Sequence, residues 1–203
     1  MFDTVTGDFR FVQRDRVWDV GEGASAHYAT LVYVLFVDSP TKGRLKFNVL
    51  AELHAPEASE EEGDGASVLA AVKFYLADHH ASDDKYNRLI GAQCAMRTVG
   101  GVGAIMRDLL RRHPRISFCW MGASRNGTEG LEEGRVANAR YRLYLLWVSA
   151  QQDLMPQFEL YVLKTYNSTL LLHRRSLLST AQVATILQNT YPGMREWLIG
   201  HFD

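Results

Sequence analysis

The chain has 203 residues, 47% of them hydrophobic and 22% charged, with a formal net charge of −1. That length suits a single domain over residues 1–203, and the apolar content supports a proper core and excludes wholesale disorder. Near-neutral charge excludes a dedicated non-specific nucleic-acid binder, which needs a basic excess, while leaving room for a local basic patch.

The first residues, MFDTVTGDFRF, have neither the basic head nor the apolar stretch of a secretory signal. The longest apolar run, Tyr28 to Val37, is interrupted by Thr30 and is about half the length of a membrane-spanning helix. Cys94 and Cys119 read as unrelated buried thiols of a reducing compartment. Asn167-Ser168-Thr169 matches a glycosylation sequon, which carries no weight without a secretion route. Together these features predict a cytoplasmic protein that does not engage a membrane.

In chain order, Phe9 to Val12 predicts a short alternating strand. His27 to Val37 is apolar on both faces and is expected to lie centrally in a sheet. Asp38-Ser39-Pro40-Thr41-Lys42-Gly43 is turn chemistry, with proline presetting φ and glycine free to take positive φ. Leu45, Phe47, Val49, Ala51 and Leu53 then alternate with polar residues, so the two runs predict an antiparallel hairpin. A mobile acidic loop follows at about 55–66, where Glu57, Glu60, Glu61, Glu62 and Asp64 cannot pack. Their spacing does not fit the alternating ligands of an EF-hand, so a calcium loop is rejected.

The spacing of Val68, Ala71, Val72, Tyr75, Leu76 and His79 predicts a helix. A second helix is expected from Ser82, with Asp83 and Asp84 well placed against its dipole. Val102, Ile105, Met106 and Leu109 mark a third, closing on Arg111 and Arg112 and stopping at His113-Pro114. Arg115 to Met121 reads as a buried strand. Residues 137–151 fit either state, but Asn138 as N-cap and the length favour a helix. Phe158–Lys164 and Thr169–His173 predict another hairpin. The last helix starts at a capping box, Ser179-Thr180-Ala181-Gln182, and buries Val183, Ile186 and Leu187. Pro192 and Gly193 break it before an amphipathic turn with Trp197, Leu198 and Phe202. The predicted order is β-β-β-α-α-α-β-α-β-β-α, an α+β fold with helices on a largely antiparallel sheet.

Four clusters could carry chemistry. In DHHASDD, residues 78–84, the candidate metal ligands are His79, His80, Asp83 and Asp84, but no second ligand motif completes a site. The plain reading is a helix end followed by an acid-rich helix start. TVGGVGAIM, residues 98–106, puts three glycines before a helix, where exposed amides attract phosphate. It lacks the Lys-Ser/Thr of a P-loop, and Met106 stands where a dinucleotide fingerprint needs glycine, so a tight interhelical turn is the plainer account. No Gly-x-Ser-x-Gly elbow is present, and Cys119 faces a core, which disfavours its thiolate.

The fourth cluster is MGASRNGTEGLEEGRVANARYRLY, residues 121–144. A strand end at Gly122-Ala123-Ser124, an exposed loop at about 123–136 and a helix with Arg140 and Arg142 gather donors suited to an anion. Arg115, before the strand, would add positive potential, and Tyr141, Tyr144 and Trp147 could stack on bases. The plainer account is that the aromatics fill the core while the arginines pair with Glu129, Glu132 and Glu133. His113-Pro114, the strand Ile116 to Met121, Gly122-Ala123-Ser124 and Ala139-Arg140-Tyr141-Arg142-Leu143-Tyr144 resemble small uncharacterised bacterial domains with a Gly-Ser…Arg-x-Arg-Leu-Tyr segment. This sequence departs by inserting Arg125 to Val136 between the halves. The resemblance implies a strand–turn–helix unit and supplies no activity.

Abundant aromatics, near-neutral charge and the lack of a complete catalytic set point to a non-catalytic binding or interaction protein of a bacterium or mobile element, one that self-associates or holds a protein partner. A second reading is recognition of a phosphate-bearing ligand, nucleotide or nucleic acid, at Ser124, Arg140, Arg142 and Arg115. A third is a metal-dependent hydrolase built on His79, His80, Asp83 and Asp84. No cofactor is expected.

Overall fold

A computed structural model describes residues 3–6, 9–18, 27–55, 67–82, 92–121, 139–163 and 168–190. The fold is α+β. Among the described residues, eight strands form one sheet: β1 (Asp3–Thr6), β2 (Phe9–Trp18), β3 (His27–Ser39), β4 (Gly43–His54), β5 (Leu69–Leu76), β6 (Ser117–Met121), β7 (Phe158–Leu163) and β8 (Ser168–His173). Their spatial order is β1-β2-β3-β4-β5-β6-β8-β7, and every pairing is antiparallel except β5 with β6. The described residues also form three α-helices: α1 (Ala92–Arg112), α2 (Ala139–Ser149) and α3 (Thr180–Thr190).

The predicted N-terminal hairpin forms as β3 and β4, with Val37 opposite Leu45 and Leu31 opposite Ala51. Its turn is fixed by Ser39, whose Oγ accepts the Lys42 N–H at 3.1 Å, and by Gly43 at φ +70°. A side chain at Gly43 would be strained there. Strand β2 runs six residues beyond the predicted Val12. It carries Gln13, Arg14, Asp15 and Arg16 along β3 through a register shift between Gln13 and Asp15.

Two expectations fail in the middle of the chain. The segment from Val68 is a strand, not a helix. Leu69, Ala70, Ala71 and Val72 are all buried because β5 lies between β4 and β6 with a helix layer on each face. A continuous apolar run of this kind satisfies a doubly covered strand and a buried helix equally well. A short 3-10 turn, Ala77–His79, follows it. The first five strands therefore precede any α-helix. Ser82 is described but residues 83–91 are not, so the helix expected from Ser82 lies outside the described residues, as do the acidic loop and the C-terminal amphipathic turn.

The second failure concerns Gly100, Gly101 and Gly103. They sit inside α1, which runs unbroken from Ala92 to Arg112, so they form neither an interhelical turn nor a phosphate cradle at a helix start. Two of them are needed because neighbours occupy the volume of a side chain. A Cβ on Gly101 would lie 2.5 Å from Leu35 Cδ1. One on Gly103 would lie 2.5 Å from Trp147 Cε2 and 2.8 Å from Cη2. The missing methyls let α1 settle onto β3 and against α2.

The main core lies between the sheet and the α1/α2 layer. It takes Leu31, Tyr33 and Leu35 from β3, Ile105 and Leu109 from α1, and Tyr144 and Trp147 from α2. A smaller core on the opposite face joins Leu69, Ala71, Cys119 and Leu170 to Val183, Ile186 and Leu187 of α3. Helix α3 opens with the predicted capping box. The Ser179 N–H donates to Gln182 Oε1 at 2.8 Å, and the Gln182 N–H donates to Ser179 Oγ at 3.2 Å. The far end of α1 is pinned by Arg112, which pairs with Asp108 at 2.7 Å and donates to Gln13 and to the Tyr33 hydroxyl. Burial pushes the Tyr33 hydroxyl pKa up to about 12, with Arg112 opposing the shift. Both cysteines are free thiols and buried.

Candidate functional site

Of the predicted anion ligands, Arg115 and Arg142 have described side chains, and β6 lies between them. Along α2, Tyr144 meets Trp120 while Val148 lies by Phe118, so the helix runs antiparallel to β6 and starts at that strand's carboxyl end. Arg142, exposed, sits near this start. Arg115 precedes β6 and lies at its opposite end, across a strand about 13 Å long at 3.3 Å per residue. Arg140 contributes backbone to the first turn of α2; its side chain and Ser124 are outside the described residues, as are Glu129, Glu132 and Glu133. Tyr141, Tyr144 and Trp147 are buried core residues rather than exposed stacking surfaces.

His79 and His80 follow β5, at the carboxyl end of the same parallel pair. Asp83 and Asp84 lie outside the described residues. Among the described residues, no group of three His, Cys, Asp or Glu side chains could hold a metal ion.

No local pattern in the chain points to what is assembled at the amino ends of β6 and β7. Strand β8 ends there at His173, which is buried. Its N–H donates to Ser117 Oγ at 3.0 Å, and its ring stands edge-on to Phe158 with centroids 5.1 Å apart. The chain then turns so that the Arg175 N–H donates to His173 Nδ1 at 3.1 Å. With Nδ1 accepting, the neutral ring carries its proton on Nε2. Burial, then Arg175 and Arg115, hold the His173 pKa below the ordinary histidine range.

Arg174 is fully employed in structure. Its N–H reaches Gln157 O at 2.9 Å, Nε reaches Pro156 O at 3.2 Å, and Nη1 pairs with Glu159 at 3.1 Å. The Arg175 side chain is exposed and has no carboxylate partner among the described residues. These groups open onto a cleft of about 390 Å³. Leu110, Pro114 and Pro156 form its apolar wall, and Gln157, His173, Arg174 and Arg175 its polar one. Adjacent arginines after a strand are an ordinary surface pattern; only the β8 turn and the end of α1 make them line a cavity.

The neighbouring sheet edge is the second feature. Strand β7 pairs with β8 on one side and, among the described residues, ends the sheet on the other. Phe158 is in the main core, and alternation puts Leu160 and Val162 on the same face. There they stay 40% and 37% exposed. Glu159 is the sole charge in β7, and it is neutralised by Arg174 and accepts the Tyr161 hydroxyl at 3.0 Å.

No protein-family model, no curated protein and no solved structure matches this chain. No helix among the described residues is long and apolar enough to cross a membrane.

Proposed function

We propose that this is a non-catalytic interaction protein that self-associates by pairing β7 with β7 of a second copy. The observation that carries this reading is an edge strand with apolar side chains exposed and its one charge already paired. Natural sheets usually blunt such edges with lysines, prolines or bulges, and none of these occurs within Phe158–Leu163. An antiparallel pair about a two-fold axis through Tyr161 sets Leu160 opposite Val162 twice, so one apolar patch serves both partners. The edge N–H and C=O groups that face outward would then continue the ladder between copies.

The test is solution mass as a function of concentration. The wild-type protein should move from the 22.9 kDa of one chain towards twice that. The double variant Leu160→Lys, Val162→Lys places charge on the exposed face and should remain monomeric with an unchanged circular dichroism spectrum. A wild type that is monomeric throughout the range, or a double variant that still dimerises, would rule the proposal out.

A further inference from the structure

We infer that the cleft between His173, Arg175 and Gln157 is a binding site for a small organic molecule carrying a compact oxyanion, a phosphate or a carboxylate. The inference goes beyond self-association and uses different residues. Arg175, with no carboxylate partner among the described residues, offers a guanidinium fork, the group best matched to the paired oxygens of either anion. His173 lines the same space with its ring orientation locked through Nδ1, which leaves Nε2–H as a donor. Gln157 adds a side-chain amide to the same lining.

Charge favours the same guest. Arg175 and Arg115 both act on His173 with positive charge. Among the described residues no acid lines the cleft, and an anion gains more against its low-dielectric wall than it would at an open surface. A volume of about 390 Å³ exceeds what a bare oxyanion fills and falls in the range of small-molecule sites. Leu110, Pro114 and Pro156 make the remainder apolar and stiff, suited to a ring or short hydrocarbon body.

Binding also has a spectroscopic mark. The anion would face Arg175 and the imidazole edge together, and its negative charge beside the ring would raise the His173 pKa. Arg174 with Glu159 stays a neutral pair at the rim.

The test titrates the full chain at low ionic strength with phenyl phosphate, benzoate and phenol. His173 ring resonances and calorimetry are followed. At least one of the two anions should bind and raise the His173 pKa, phenol should not, and comparing the anions identifies the preferred oxyanion. Arg175→Ala should weaken binding about tenfold or more, whereas Arg142→Ala, on exposed α2, should not. Arg175→Ala should leave the solution mass unchanged, so failure here is separable from failure of β7 pairing. The inference is overturned if neither anion perturbs His173 at millimolar concentration, if phenol binds as well, or if Arg175→Ala binds as tightly as the wild type.

Discussion

Replacing Gly103 by alanine sets two effects of known size against each other. In a helix interior, alanine is better than glycine by about 1 kcal/mol because it restricts the unfolded chain and shields the backbone. At Gly103 the added methyl would meet the six-membered ring of Trp147, 2.5 Å from Cε2, 2.8 Å from Cη2 and closer still to Cζ2. An indole gripped between α1, α2 and the sheet cannot yield like the tip of a flexible chain. Forcing a methylene into a packed core costs roughly 1–3 kcal/mol, and overlap with three ring atoms belongs at the upper end. The net loss is about 2 kcal/mol, a fall in Tm of roughly 4–8 °C for a chain of this size. Gly100 is the internal control, since a Cβ there lies 3.7 Å from Phe9 Cε1, an ordinary contact. Gly100→Ala should keep the propensity gain and raise Tm by roughly 2–4 °C. Thermal denaturation by circular dichroism measures both. Trp147→Phe removes the obstructing ring atoms, so the double variant with Gly103→Ala should lose less than the two single losses added. Equal effects at Gly100 and Gly103, or strict additivity with Trp147→Phe, would refute the packing argument.

Two further outcomes follow from the same structure. Ser179→Ala removes one half of the α3 capping box and should cost about 1 kcal/mol, a drop in Tm of roughly 2–4 °C, whereas Ser179→Asp, which can still accept the Gln182 N–H, should avoid most of that loss. His173 binds its proton less readily folded than unfolded, so its contribution to stability is complete above the ordinary histidine pKa of about 6.5 and is lost as pH falls through that value and then the lower folded one. Denaturation of the wild type should therefore become easier between about pH 7.5 and 5.5, and His173→Asn, whose Oδ1 can still accept the Arg175 N–H, should flatten that slope. Identical slopes in the two proteins would remove His173 as the source.

Local chemistry in the sequence was sufficient wherever an element carries its own punctuation. The β3–β4 hairpin announces itself by period-two alternation around Ser39 to Gly43. Helix α1 ends where its apolar stripe meets Arg111, Arg112 and Pro114, and α3 begins where Ser179 and Gln182 exchange hydrogen bonds. The β7–β8 hairpin and the helical state of α2 were legible in the same way.

Other features had no local signature. Leu69 to Val72 became a strand because β4, β6 and two helix layers enclose it, and that enclosure is a property of partners distant in sequence. The glycines of α1 looked like a break until Leu35 and Trp147 filled the space beside them, when the same residues became what allows close packing. Arginine grouping was misleading for a related reason: nearness along the chain put Arg115 with Arg140 and Arg142, but β6 carries Arg115 to the end of the sheet where His173 and Arg175 lie. Hydrogen-bonded turns and periodic faces are decided within a few residues; burial on both faces, room for a methyl and convergence of charges are decided only when the whole chain has packed.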